Sequence, residues 1–134
     1  LQKITISEAQ KKILSEHAYN EMPNESCAML FGTVNDKDAI VKEVFLAKNA
    51  DQSPVNFTIS NEQLIKGYKL AEEKNMGVVG IFHSHPSSGA YPSETDKKFM
   101  QSNPVVWVIY SGISSEFKSY IMETEVIEVP IEFL

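Results

Sequence analysis

Two histidines, His83 and His85, stand one residue apart at the end of an apolar run, and ten further residues separate His85 from Asp96. On a strand, alternate side chains share a face, so both imidazoles project the same way from one strand end. The ten-residue interval is long enough for the chain to turn and bring a carboxylate back over them. Two nitrogens and one oxygen are the protein's share of a catalytic zinc site, in which water takes the fourth position. Only one other histidine, His17, occurs in the chain.

The elements that must position these groups follow from the local patterns. Gly77-Val78-Val79-Gly80-Ile81-Phe82 reads as a buried strand delivering His83, Ser84, His85 and Pro86 at its end. Ser84, between the ligands, faces the opposite side of that strand and has a supporting role. Ser93-Glu94-Thr95-Asp96 is a capping sequence, which starts a helix from about Ser93 to Ser102 that stops before Asn103-Pro104. Asp96 therefore has two readings, a first-turn cap favoured by the helix dipole and a metal ligand. They are compatible if one carboxylate oxygen faces the metal and the other accepts a backbone N–H. Ser93 can likewise accept from the helix amide while its O–H donates outward.

Upstream, Ser7-Glu8-Ala9-Gln10 is a capping box opening a helix to about Asn20, with Ala9, Ile13, Leu14 and Ala18 as its apolar stripe. It follows a short strand, Lys3-Ile4-Thr5-Ile6, and carries His17 as a surface or boundary residue. Pro23-Asn24 breaks that helix, and Glu25 to Gly32 reads as a buried strand with one acid at its mouth. After the turn Asn35-Asp36-Lys37-Asp38, the segment Ala39 to Leu46 returns as its antiparallel neighbour. Residues 47 to 56 form the longest loop, a place where function concentrates. Ser60-Asn61-Glu62-Gln63 is a second capping box, its helix presenting Leu64, Tyr68 and Ala71 on one side and ending through Asn75 or Gly77. Three more strands follow at Val105 to Tyr110, Lys118 to Met122 and Val126 to Phe133, the last an edge strand interrupted by Pro130. The sum is an α/β chain, a mixed sheet flanked by helices, folded as one domain over residues 1–134.

Glu25, His83, His85, Pro86, Ser93 and Asp96 together resemble the signature of the JAMM (MPN-type) metalloprotease family: an upstream glutamate, His-x-His-Pro, and an aspartate ten residues on, preceded by Ser-x-x. Pro23-Asn24-Glu25-Ser26-Cys27-Ala28-Met29-Leu30-Phe31-Gly32 is similar to the family's segment around its catalytic glutamate, with Ala28 where glycine is common. The resemblance covers nearly the whole chain. It implies a curved mixed sheet with a layout like the cytidine deaminases, one zinc held by His83, His85 and Asp96, Glu25 as general base, and Ser93 as oxyanion donor. It also implies hydrolysis of isopeptide or peptide bonds at the Gly-Gly type C-terminal tail of ubiquitin-like modifiers or sulfur-carrier proteins. Too few residues lie between Asp96 and Trp107 for the long insertion of eukaryotic deubiquitinases, so the compact prokaryotic members are the nearer likeness. The rival readings are a non-catalytic MPN scaffold, which usually loses part of the metal set, and release of an amino acid from a sulfur-carrier tail.

Other chemistries fit less well. Cys27 lies within an apolar run, where a thiol stays protonated and inert, so it is not read as a nucleophile paired with His83 or His85. A zinc deaminase needs His-x-Glu and a Pro-Cys-x-x-Cys pair, and the chain has one cysteine. A formal charge of −6 with scattered basic residues argues against nucleic acid as a partner. With no apolar run long enough to span a bilayer, no leader pattern and no possible intrachain disulfide, a soluble cytoplasmic protein is expected.

Overall fold

Ser7 Oγ accepts from the Gln10 amide at 3.0 Å and Gln10 Oε1 accepts from the Ser7 amide at 2.9 Å, so the first capping box closes on both sides. The computed structural model describes residues 2–134, in the order β1 (Lys3–Ile6), α1 (Glu8–Glu21), β2 (Cys27–Asn35), β3 (Asp38–Ala47), α2 (Asn61–Glu73), β4 (Gly77–His85), α3 (Glu94–Ser102), β5 (Val106–Ser111), β6 (Phe117–Met122), β7 (Val126–Val129) and β8 (Ile131–Phe133). Among the described residues no helix is long and apolar enough to cross a membrane.

All eight strands join one mixed sheet in the order β7-β6-β5-β4-β2-β3-β1-β8. β4 pairs with β5 in parallel and with β2 antiparallel, which buries it on both edges and both faces. That explains why its sequence is apolar without alternation. β7 and β8 are the two ends of this order, yet only Pro130 separates them in the chain. The sheet must therefore curl until its edges meet, and the Pro130 carbonyl accepts from the Ile4 amide at 3.0 Å at that seam. The expected single edge strand from Val126 to Phe133 is thus two strands on opposite edges. Proline removed the ladder donor at the corner and let the chain change partners.

The curved sheet has two apolar faces. Cys27, Met29, Phe31, Ile81, Trp107 and Ile109 pack toward α2 and α3, and Ala28, Leu30, Phe82, Val106 and Val108 pack with Leu14 of α1. In α1 only Leu14 and Ala18 are buried, whereas the expected stripe residues Ala9 and Ile13 are exposed. In α2 the buried positions are Gly67 and Ala71, and Tyr68 is half exposed. Gly67 sits where the helix crosses the sheet so closely that a Cβ would come within 2.5 Å of Met29 Sδ. Its cost in helix propensity is offset by that approach. The second capping box is only half made: Ser60 caps the Gln63 amide, but Gln63 Oε1 accepts from Lys48 N instead. α2 ends as expected, with Asn75 at φ 58° and the Met76 amide donating back to Ala71 O at 2.8 Å.

Candidate metal and catalytic site

The parallel pair β4–β5 with α3 as its crossover places the C-terminal end of β4 against the N-terminus of α3, the position where open α/β sheets bind ligands. His83 and His85 lie within the last three residues of that strand, on one face. His83 is fully buried, stacked by the Phe57 ring at 4.6 Å and met edge-on by Trp107 at 6.0 Å. His85 Nδ1 lies 2.8 Å from the Gly89 carbonyl, which can only accept, so that nitrogen carries the proton and Nε2 presents a lone pair.

Asp96 reaches both rings with one oxygen. Its Oδ2 is 3.0 Å from His83 Nε2 and 3.1 Å from His85 Nε2, and the two Nε2 atoms are 3.1 Å apart. The same Oδ2 accepts from the Ser93 amide at 2.9 Å, while Ser93 Oγ accepts from the Asp96 amide at 3.1 Å. Cap and ligand position therefore coincide on one atom, where a division between the two carboxylate oxygens was expected. The N-terminus of α3 supplies the field that makes this economical.

This triangle fits a small divalent cation. Ligand atoms about 2.0–2.2 Å from a tetrahedral zinc lie about 3.3 Å from one another, close to the spacing found here. Converging lone pairs at such distances repel unless a positive charge sits among them. Burial pushes the His83 imidazole down, keeping it neutral and able to ligate. For His85, burial also lowers, but the hydrogen bonds to Asp96 and Gly89 leave its affinity for a proton raised. For Asp96, burial alone would raise the pKa, but the hydrogen bonds to His83 and His85 and to the Ser93 amide hold it well below the carboxylate range.

Glu25 lies just outside β2, with its side chain buried and Oε1 without a hydrogen-bond partner among the described residues. Ligand atoms of Glu25, His83 and His85 all lie within 4.8 Å of one another, so two donor triads share the histidines. The Asp96 triad is much the tighter, and it leaves Glu25 beside the ion position with a free oxygen. Burial, with Asp96 adding to it and His85 opposing it, pushes the Glu25 carboxyl up to about 8. Ser84 faces away from the site and its Oγ accepts from both the amide and the hydroxyl of Ser26 at 2.9 Å, fastening the residue next to Glu25 to β4.

Cys27 is buried, and burial followed by the charges of Glu21 and Glu25 pushes its thiol up to about 12. It is no nucleophile at neutral pH. His17 is half-buried, its Nε2 near the carbonyls of Cys27 and Ala47, and does not belong to the site. Three contributors were not identified from the sequence: Phe57 and Trp107 around His83, and Asn49, which binds the loop before α2 to Glu25. The clustering of Asn49 with Asp51 in a turn-rich stretch was the one available signal, since asparagine side chains commonly hold such turns.

Comparison with known proteins identifies the family. The family model described as prokaryotic homologs of the JAB domain matches residues 7–123. A desampylase of Pyrococcus furiosus is 38% identical over 98 residues, 73% of this chain and 66% of the relative, so the chain spans just under two thirds of that protein's length. A CysO-cysteine peptidase of Mycobacterium tuberculosis is 29% identical over 119 residues, 86% of this chain and 80% of the relative. A solution structure of a Desulfitobacterium hafniense protein superposes with a TM-score of 0.90 at 30% identity, covering 98% of this chain and 92% of that one. The chain belongs to the JAMM metalloprotease family, in its compact prokaryotic branch.

Proposed function

We propose that this protein is a zinc-dependent peptidase that hydrolyses the amide or isopeptide bond at the C-terminal tail of ubiquitin-like modifier or sulfur-carrier proteins in the cytoplasm. The observation that carries the proposal is the convergence of His83, His85 and Asp96 at 3.0–3.1 Å with the unpaired Glu25 oxygen beside them. Those three side chains would hold one zinc ion. Bound there, zinc makes a water molecule acidic near neutral pH and polarises the scissile carbonyl.

The remaining work falls to the chain. Glu25 takes a proton from the attacking water and delivers it to the leaving nitrogen as the C–N bond breaks. Burial pushes its carboxyl up in the metal-free chain, and a cation held beside it would draw it back down toward the range a base needs at neutral pH. Ser93 keeps its oxygen on the Asp96 amide, which leaves its O–H free to donate to the carbonyl oxygen as negative charge grows there. Asp96 stays ionised and is fixed by the α3 cap, so the ligand set needs no rearrangement to act.

The names of the relatives support two substrates for one chemistry. Desampylases point to removal of a ubiquitin-like modifier, and the CysO-cysteine peptidase points to release of an amino acid from a sulfur carrier. The test is incubation of zinc-loaded protein with a panel of ubiquitin-like C-terminal fusions, isopeptide conjugates and carrier–amino acid adducts, read by mass spectrometry. Products with a free Gly-Gly carboxylate that vanish with a chelator are expected. No cleavage of any member by protein that holds one zinc would favour the scaffold reading instead.

A further inference from the structure

Glu25 lies two residues before the first β2 residue and receives no ladder hydrogen bond, so something else must fix it. Both of its peptide groups are taken by one loop. The Glu25 amide donates to Ser53 O at 2.8 Å, and the Glu25 carbonyl accepts from Asn49 Nδ2 at 3.0 Å. Asn49 is almost wholly buried, an unusual place for a loop amide, and every polar atom of its side chain is used. Nδ2 also donates to Asn56 O at 2.9 Å and Ser53 O at 3.4 Å, and Oδ1 accepts from the amides of Asp51 at 3.0 Å and Thr58 at 3.1 Å. One residue before Thr58, Phe57 lies on the His83 ring.

We infer that Asn49 is a positioning residue for the hydrolytic reaction: its side-chain amide holds the Glu25 backbone and the Phe57 segment in one frame, so that the glutamate and the His83 ring keep a fixed separation. The inference rests on the proposed role of Glu25 as the base. Side-chain amides make such a clamp well because they donate and accept in one plane, whereas a carboxylate only accepts. A displacement of about 1 Å at a reacting group is enough to cost on the order of 10²-fold in rate.

The experiment compares zinc-loaded wild type with Asn49→Asp, Asn49→Ala, Glu25→Gln and Thr58→Val on one cleaved tail substrate. N49D keeps the acceptor side of the clamp and loses the donors to Glu25, so it separates shaping the loop from holding the base. T58V removes only the exposed Thr58–Asp51 hydrogen bond in the same loop. We expect N49D and N49A to lower kcat by about 10–10²-fold, with KM within about threefold and one zinc per chain retained, while T58V stays near wild type. Amide hydrogen exchange at Glu25, read by NMR, should speed up in N49D at least tenfold, with the amides of Ile81 to His85 unchanged. Wild-type kcat and unchanged Glu25 exchange in N49D, with E25Q inactive, would overturn the positioning role and leave the base intact. A fully active E25Q would overturn both. If N49A does not fold, N49D and the exchange rates decide.

Discussion

The two walls of the site are built by different means. One wall is β4 and the start of α3, where backbone ladders to β2 and β5 fix His83 and His85 and a closed capping box fixes Asp96. The other carries Glu25 and Phe57, which belong to no regular element and are held by the loop through Asn49 and Ser53. The proposed ion position thus rests on cooperative secondary structure, and Glu25, the proposed base, rests on one side-chain and one backbone hydrogen bond from a loop. Substitutions of His83, His85 or Asp96 on the first wall should act through metal affinity. Those on the second should act through turnover with the metal retained.

The largest effect that separates the walls is Glu25→Gln. It should keep zinc and lower kcat by about 10²–10⁴-fold, the share of a positioned acid–base group, in a single-turnover assay. Retained turnover would remove Glu25 from the reaction and with it the contrast. Ser93→Ala comes next, at about 10²–10³-fold in kcat for the lost oxyanion donor, plus about 1 kcal/mol of stability from the lost cap. Because Thr can cap and donate, Ser93→Thr should recover most of both, whereas a purely structural cap would recover stability alone.

A stability measurement against pH sharpens the comparison without any substrate. In metal-free protein Glu25 holds its proton up to about 8, while in the unfolded chain it loses it near the ordinary 4.5. Between those values the metal-free folded state binds more protons, so this group's contribution falls as pH rises through the window. Asp96 has the opposite sign: its depressed pKa contributes stability above the ordinary 3.8, which is lost as pH falls. Thermal melts with chelator at pH 5 and pH 8 should show a smaller loss on raising the pH in E25Q than in wild type. Equal losses in the two proteins would place the Glu25 carboxyl in water.

The sequence made one wall far more legible than the other, and the reason is distance along the chain. His83, His85, Ser93 and Asp96 fall within one strand–loop–helix unit, so spacing and capping rules placed them close together, and the family resemblance was needed only to choose ligand over cap for Asp96. Glu25 was recognisable only through the family's motif, because the contact that holds it spans Glu25 to Asn49 and obeys no periodicity. The same limit explains the sheet: a proline marked the break at Pro130, but which edges its flanking strands would join depends on the closure of the whole sheet. It also explains why Tyr68 is half exposed while Gly67 is buried, since both follow from how closely α2 approaches Met29.

A smaller effect probes the join between the walls. Ser84→Ala leaves the buried Ser26 amide and hydroxyl without their partner, which should cost about 1–3 kcal/mol in chemical denaturation. Zinc binding at β4 should survive, since the side chain faces away from the ligands. Loss of zinc in this variant would mean that the two walls are one mechanical unit.

The most direct measurement is zinc content and affinity, by native mass spectrometry and competition with a colorimetric chelator, for wild type, His83→Ala, His85→Ala, Asp96→Asn and Glu25→Gln. One zinc in wild type and E25Q, and none in H83A, H85A or D96N, is the predicted result. Zinc kept by D96N and lost by E25Q would contradict it, because the ion would then sit in the looser triad of Glu25, His83 and His85.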